Sequence, residues 1–271
     1  MRVLVRLFVV LLVLVLGTVV LGSMAERWVI YPFDPREVSP ENVGLPEVAV
    51  QRLDINGASL VVWVADPKRG KPVILYFHGN AGNLANRKGR FQHFLNQGYG
   101  LIAPAYRGSS GSSGSPSEEV LIADAAALYV ELDLSKRPVV VYGESLGTAV
   151  SIALVETLAA PPSAVILEAP FTSIPGLAGL HYPGTGSLAE NLDNTWRSID
   201  RASALTMPLL ILHGTQDDLI PNEMGRQIFT AAPSREKDFH AVQGAGHTDL
   251  WRASTQARLW RFIDAYALDL R

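Results

Sequence analysis

Five short, almost wholly apolar runs recur along this chain with helix-length segments between most of them: PVILYFHG (72–79), GLIAPAY (100–106), PVVVYG (138–143), AVILEAP (164–170) and PLLILHG (208–214). Runs of that length without polar alternation suit strands covered on both faces. The intervening stretches around 84–97, 117–134, 146–159 and 222–232 read as helices. Strands alternating with helices require a parallel sheet with right-handed crossovers. Ahead of them, VQRLDI and SLVVWVAD flank Asn56-Gly57, the pair that best closes a two-residue hairpin. The expected class is therefore α/β: a mostly parallel central sheet opened by an N-terminal antiparallel hairpin, with flanking helices. At 271 residues the chain holds one domain or at most two. Functional groups in such sheets gather at the carboxyl ends of the strands.

The end of the 138–143 strand carries the strongest signal. VVVYGESLGTAV (139–150) passes from strand to helix through Gly-Glu-Ser-Leu-Gly. A serine at so sharp a turn has strained backbone angles, and flanking glycines let the two arms pass closely. The gain is a Ser145 hydroxyl exposed above the sheet, with free N–H groups of the new helix aimed at the same place. This is the G-x-S-x-G nucleophile elbow. Strand 72–77 ends in HGNAGN (78–83), whose glycines allow a tight turn able to present backbone donors to a developing oxyanion. The backbone N–H groups of Asn80 and of Leu146 are the expected pair. His78 reads as a brace for that turn. Tyr106, at the end of the 100–106 strand, is expected on the wall of a substrate pocket beside the serine, and GSSGSSG (108–114) after it reads as a loop.

Strand 208–214 ends in HGTQDDLIP, where Asp217 or Asp218 could orient a histidine. Of the six histidines only His240 and His247 follow this acid. His240 lies within the strand-like KDFHAV, whereas His247 lies in the glycine-rich loop GAGHTDLW. A ring that must reach both serine and leaving group belongs on the loop. His247 is the expected base, and the chain order is serine, acid, histidine.

HGNAGN, YRG with a downstream G-x-P-S-E, YGESLG, LEAPFTS, and HG-x-x-D-x-x-I-P followed by G-A-G-H together resemble the bud-emergence-like branch of the α/β-hydrolases. That branch includes membrane-associated protein depalmitoylases. The likeness runs from about residue 28 to the C-terminus. It implies the α/β-hydrolase fold with a nucleophile at Ser145, an acid at Asp217 and a base at His247. It also implies ester or thioester hydrolysis. One departure is that Ser109 and Ser110 stand where the branch has an aromatic residue and a glycine, which bears on the shape of that loop.

The remaining sequence sets the surroundings. Net charge is −3, so nothing favours nucleic acid as a partner. There are no cysteines, which excludes thiolate nucleophiles, disulfides and Cys-based metal or haem sites. Residues 1–25 carry Arg2 and Arg6 before an uncharged run, Leu7–Ala25, whose ~28 Å helical length matches a bilayer core. The run reads as a retained signal-anchor, with a cleaved signal peptide as the alternative. The charge pattern places the short N-terminus in the cytoplasm and the catalytic domain on the extracytoplasmic, periplasmic or lumenal side of the membrane. Prolines at 32, 35, 40 and 46 make 26–47 a stalk lying on or leading into a hydrolase domain of residues 48–271. Residues 171–207 are too few for a cap domain, so a short lid, a fairly open site and short to medium acyl substrates are expected.

The expected activity is that of a membrane-anchored serine hydrolase acting on small-molecule or lipid acyl esters or thioesters, or on acylated proteins, through an acyl-enzyme. No metal and no cofactor is required. A serine peptidase of the same fold and a non-catalytic membrane-tethered binding protein are the competing readings.

Overall fold

The computed structural model of the chain describes residues 24–268. Its centre is an eight-stranded sheet: β1 (Ala49–Ile55), β2 (Ala58–Ala65), β3 (Val73–Phe77), β4 (Gly100–Pro104), β5 (Val139–Glu144), β6 (Ala164–Glu168), β7 (Leu209–Gly214) and β8 (Lys237–Val242). The spatial order is β1-β2-β4-β3-β5-β6-β7-β8. β1 and β2 pair antiparallel through the Asn56-Gly57 turn, and β2 pairs antiparallel with β4. Every later pair is parallel. Asn56 and Gly57 both have positive φ, 48° and 76°, as a primed hairpin turn needs.

The helices are α1 (the part described, residues 24–30), α2 (Lys88–Asn96), α3 (Glu118–Glu131), α4 (Leu146–Thr157), α5 (Ile174–His181), α6 (Gly186–Ala189), α7 (Ser198–Arg201), α8 (Asn222–Ala231) and α9 (Ala253–Tyr266). Side chains of one strand point alternately to opposite faces. Val73, Leu75 and Phe77 of β3 therefore join one core, with Leu121, Val150 and Ile228 of α3, α4 and α8. Ile74 and Tyr76 join the other, with Phe91 and Phe94 of α2 and Leu259 and Ile263 of α9. The near-continuous apolar runs of the sequence follow directly, since both sides of each central strand are covered.

From Ile30 to Val48 the chain runs against this core, while most of residues 24–29 are exposed. Ile30 and Tyr31 are buried, Phe33 bridges Gly82, and Leu45 and Val48 are buried further on. Among the described residues no helix is long and apolar enough to cross a membrane. This corrects the expectation of a single-pass chain with an extracytoplasmic domain. Most of the expected anchor, residues 1–23, lies outside the described residues. Just beyond it, Glu26 and Arg27 open the expected stalk, and this stretch is fixed to the protein. Glu26 accepts hydrogen bonds from the backbone N–H groups of Asp193 and Asn194, at 3.3 Å and 2.7 Å.

Candidate active site

The elbow takes the strained form that its glycines permit. Ser145 has φ 51° and ψ −114°, a combination that L-residues rarely adopt. A Cβ on Gly143 would stand 2.4 Å from the Gly147 carbonyl oxygen, and one on Gly147 only 2.0 Å from that of Phe77. Neither position can hold a larger residue without moving backbone. β5 thus delivers Ser145 to the sheet's carboxyl edge, and α4 starts immediately behind it.

The loops after β7 and β8 bring the acid and the histidine to the same edge. His247 Nε2 is 3.2 Å from Ser145 Oγ, and His247 Nδ1 is 2.8 Å from Asp217 Oδ2. The other oxygen of Asp217 accepts from the backbone N–H groups of Leu219 (3.0 Å) and Ile220 (2.8 Å). Burial pushes the Asp217 carboxyl up, but the hydrogen bonds from His247 and Ile220 outweigh it and hold the group below its ordinary value. Asp218 is exposed and takes no part. His240 lies on β8, its Nε2 3.5 Å from Thr255 Oγ1, away from the serine.

His213, which the sequence did not single out, steadies the acid loop. It is fully buried, and its Nε2 donates to the Ile220 carbonyl at 2.8 Å. The signal lay in Gly225, where a Cβ would stand 2.3 Å from the His213 ring. His78 is also fully buried, donating Nδ1 to the Gly79 carbonyl at 2.7 Å beneath the turn. Burial, and then the Arg87 charge, bring its pKa down to about 3, so the ring is neutral.

Tyr106, expected on the pocket wall, stands instead behind the turn. Only 5% exposed, it lays its ring 4.2 Å from that of His78 and donates its hydroxyl to the His78 carbonyl at 3.0 Å. Packing beneath the turn keeps it out of the cleft that borders Ser145. Ser110, in place of the branch's glycine, keeps a left-handed φ of 51°, and its Oγ accepts from the Leu84 N–H at 3.0 Å.

Asn80, Ser145 and Leu146 together border a cleft of about 540 Å³, within the ~300–1,000 Å³ usual for small-molecule sites. No backbone acceptor for the Asn80 N–H is found among the described residues. The Leu146 N–H, at the first position of α4, has no intrahelical acceptor. The other walls are mostly apolar: Phe171 from the loop after β6, Ile174 and Leu177 from α5, Leu219 and Ile220 from the acid loop, and Val29 and Ile30 from α1. That last wall makes the cleft larger and more apolar than the short lid predicted. The sequence offered residues 24–30 as the end of an anchor and the start of a stalk, not as pocket. Among the described residues no group of three or more His, Asp or Glu side chains is arranged to hold a metal.

Comparison with known proteins agrees with this architecture. The family described as serine aminopeptidase, S33 matches residues 68–199 and 180–251. Protein bem46 of Schizosaccharomyces pombe is 32% identical over 242 residues, covering 83% of this chain and 80% of that protein. Lysophosphatidylserine lipase ABHD12 of Danio rerio is 35% identical over 193 residues, 64% of this chain. The chain spans 50% of that lipase's length. Among solved structures, the Pyrococcus furiosus esterase Pf2001 superposes with a TM-score of 0.71 at 16% identity, over 88% of this chain and 97% of that one. These matches, with the sheet order and the elbow, make the chain a member of the serine aminopeptidase S33 family, in the bud-emergence-like branch of the α/β-hydrolases.

Proposed function

We propose that the protein is a serine hydrolase that cleaves acyl esters or thioesters bearing an extended alkyl chain, with monoacyl lipids as the favoured substrate class. The observation that carries this reading is the hydrogen-bonded series Ser145–His247–Asp217 opening onto an apolar cleft. His247 Nε2 takes the Ser145 hydroxyl proton as Oγ attacks the acyl carbonyl carbon. Asp217 holds the ring in the tautomer that leaves Nε2 free to accept, and stabilises the imidazolium. The carbonyl oxygen becomes an oxyanion between the Asn80 and Leu146 N–H groups. Collapse expels the alcohol or thiol, which takes the proton from His247. Water, deprotonated by the same nitrogen, then releases the fatty acid and restores Ser145.

Apolar walls favour chains because each buried CH₂ contributes about 0.8 kcal/mol. The lipase and esterase named among the relatives support this substrate class. A peptidase would need a free carboxylate for the substrate's α-amino group. Among the described lining residues the single carboxylate is Glu26, engaged by the backbone of Asp193 and Asn194. The test is to label the purified protein with a fluorophosphonate and to measure hydrolysis of p-nitrophenyl esters from C2 to C16 and of monoacyl lipids. Labelling at Ser145 with rates that rise beyond C2 is expected. Absence of labelling, or faster cleavage of aminoacyl amides than of any ester, would sink the reading.

A further inference from the structure

The two proposed oxyanion donors come from different loops. The N–H of Asn80 belongs to the turn after β3, and that of Leu146 to the elbow after β5. β3 and β5 pair in parallel, and their last rung is Phe77–Gly143. Beyond that rung no ladder hydrogen bond fixes one loop against the other, yet oxyanion stabilisation depends on both donors standing at set positions before the reaction.

Beyond that rung a side-chain tie bridges the two loops. Arg87, at the start of α2, reaches back under the turn with its side chain 7% exposed. Its Nε and Nη2 donate to the two carboxylate oxygens of Glu144, at 3.1 Å and 3.2 Å. Its Nη1 donates to the carbonyls of Ala81 (2.6 Å) and Asn83 (3.2 Å), both in the turn. Glu144 is the residue immediately before the nucleophile. It is held further by the Tyr76 hydroxyl at 2.7 Å and Arg90 Nη1 at 3.2 Å. Gly79, one residue before Asn80, lies directly against this pair: a Cβ there would be 3.3 Å from Arg87 Nη2 and 3.3 Å from Glu144 Oε1.

We propose that Arg87 and Glu144 are positioning residues whose bidentate pair locks the 78–83 turn to the nucleophile elbow and so sets the Asn80 N–H against the Leu146 N–H. The inference rests on the serine-hydrolase reading and on those two groups being its oxyanion donors. Neither side chain lines the apolar cleft. Glu144 borders a separate cavity of about 60 Å³ beside Ser145 and His247, and the pair acts through the backbone of the turn that Arg87 holds. The planar guanidinium supplies a fork for the carboxylate and a third direction for the carbonyls, which an ammonium on the same stem cannot do. An ion pair that served packing alone could be replaced by apolar side chains of similar volume. The donors aimed at Ala81 and Asn83 have no role in such a replacement. The motif residues Glu144 in YGESLG and Arg87 after HGNAGN thereby acquire a function.

The experiment uses Arg87→Lys and Glu144→Gln in the full-length protein. It reads kcat and KM on a p-nitrophenyl ester, thermal melting, and inhibition by an acyl trifluoromethyl ketone, whose adduct carries an oxyanion. Both variants are expected to fold and to keep KM within about threefold of wild type. Their kcat should fall roughly 10- to 100-fold, the scale of a displaced catalytic contact. Inhibitor affinity should fall in proportion to kcat, a split that a general loosening of the fold would not give. Unchanged kcat, a KM change matching the kcat change, or undiminished ketone affinity would overturn the proposal. So would failure of both variants to fold, since the pair would then be a structural tie. Should only Arg87→Lys fail to fold, Glu144→Gln carries the same readings. A wild-type protein without ester hydrolysis or ketone inhibition would instead remove the serine-hydrolase reading on which the proposal stands.

Discussion

Ser145 Oγ and His247 Nε2 stand 3.2 Å apart although 102 positions separate the two residues in the chain. The sheet makes this meeting possible. β5 ends at the elbow, β8 lies three places away at the sheet's edge, and the loop after β8 folds back over the intervening carboxyl ends. A histidine so placed needs an anchor on its other nitrogen, and Asp217 provides it from the loop after β7.

Replacing Ser145 by alanine should leave the fold intact and abolish fluorophosphonate labelling. Ester hydrolysis is expected to fall ~10⁴-fold or more, as for other nucleophiles of this kind. Residual activity within about tenfold of wild type would mean that the hydroxyl is not the nucleophile.

Asp217→Asn should be far more damaging than Asp218→Asn. Only the first carboxylate touches His247, and only it is fixed by two backbone N–H groups. An expected loss of up to ~10⁴-fold in kcat for the first, against little change for the second, is read by parallel kinetics of the two variants. The opposite ranking would refute the assignment of the acid.

Leu177→Trp should narrow the cleft between α5 and α1 without touching the triad. Rates on acetate esters should hold within about threefold, while C10 and longer esters lose roughly tenfold or more, since about two buried CH₂ groups are worth that factor. A chain-length profile that keeps its wild-type shape would show that acyl chains bind elsewhere.

His78 should make the protein less stable as pH falls. Its pKa is about 3 when folded, through burial and then Arg87, against ~6.5 in an unfolded chain. The unfolded state therefore binds more protons between those values, so the contribution is complete above about pH 6.5 and is lost as pH drops toward 3. The slope from this residue is about 1.4 kcal/mol per pH unit. Urea unfolding of His78→Gln between about pH 6 and pH 4.5 should be shallower in pH by that amount. Equal slopes in variant and wild type would show that the ring titrates normally. His213, also lowered by burial, adds to the wild-type slope in the same direction.

What the sequence determined by itself were the features written in local chemistry. Double-faced burial left continuous apolar runs, so β3 to β7 were legible. Strain at the elbow left Gly143 and Gly147 around Ser145, and the hairpin left Asn56-Gly57. The order of strands then limited which acid and which histidine could reach the serine. Only the tertiary structure decided the features built from residues far apart in the chain. Tyr106 sits at the right strand end, but packing turns it under the 78–83 turn, away from the cleft. Val29 and Ile30 lie in the short apolar run Trp28–Tyr31 at the start of the expected stalk, too brief for its periodicity to show what covers it. Here Glu26, bonded across to Asn194, fixes which neighbour they meet. Arg87 and Glu144 each look like ordinary solvated charges until the fold buries them against one another. Periodicity reports how a segment is covered, not by what, and the partner across 57 or 168 positions exists only once the sheet has assembled.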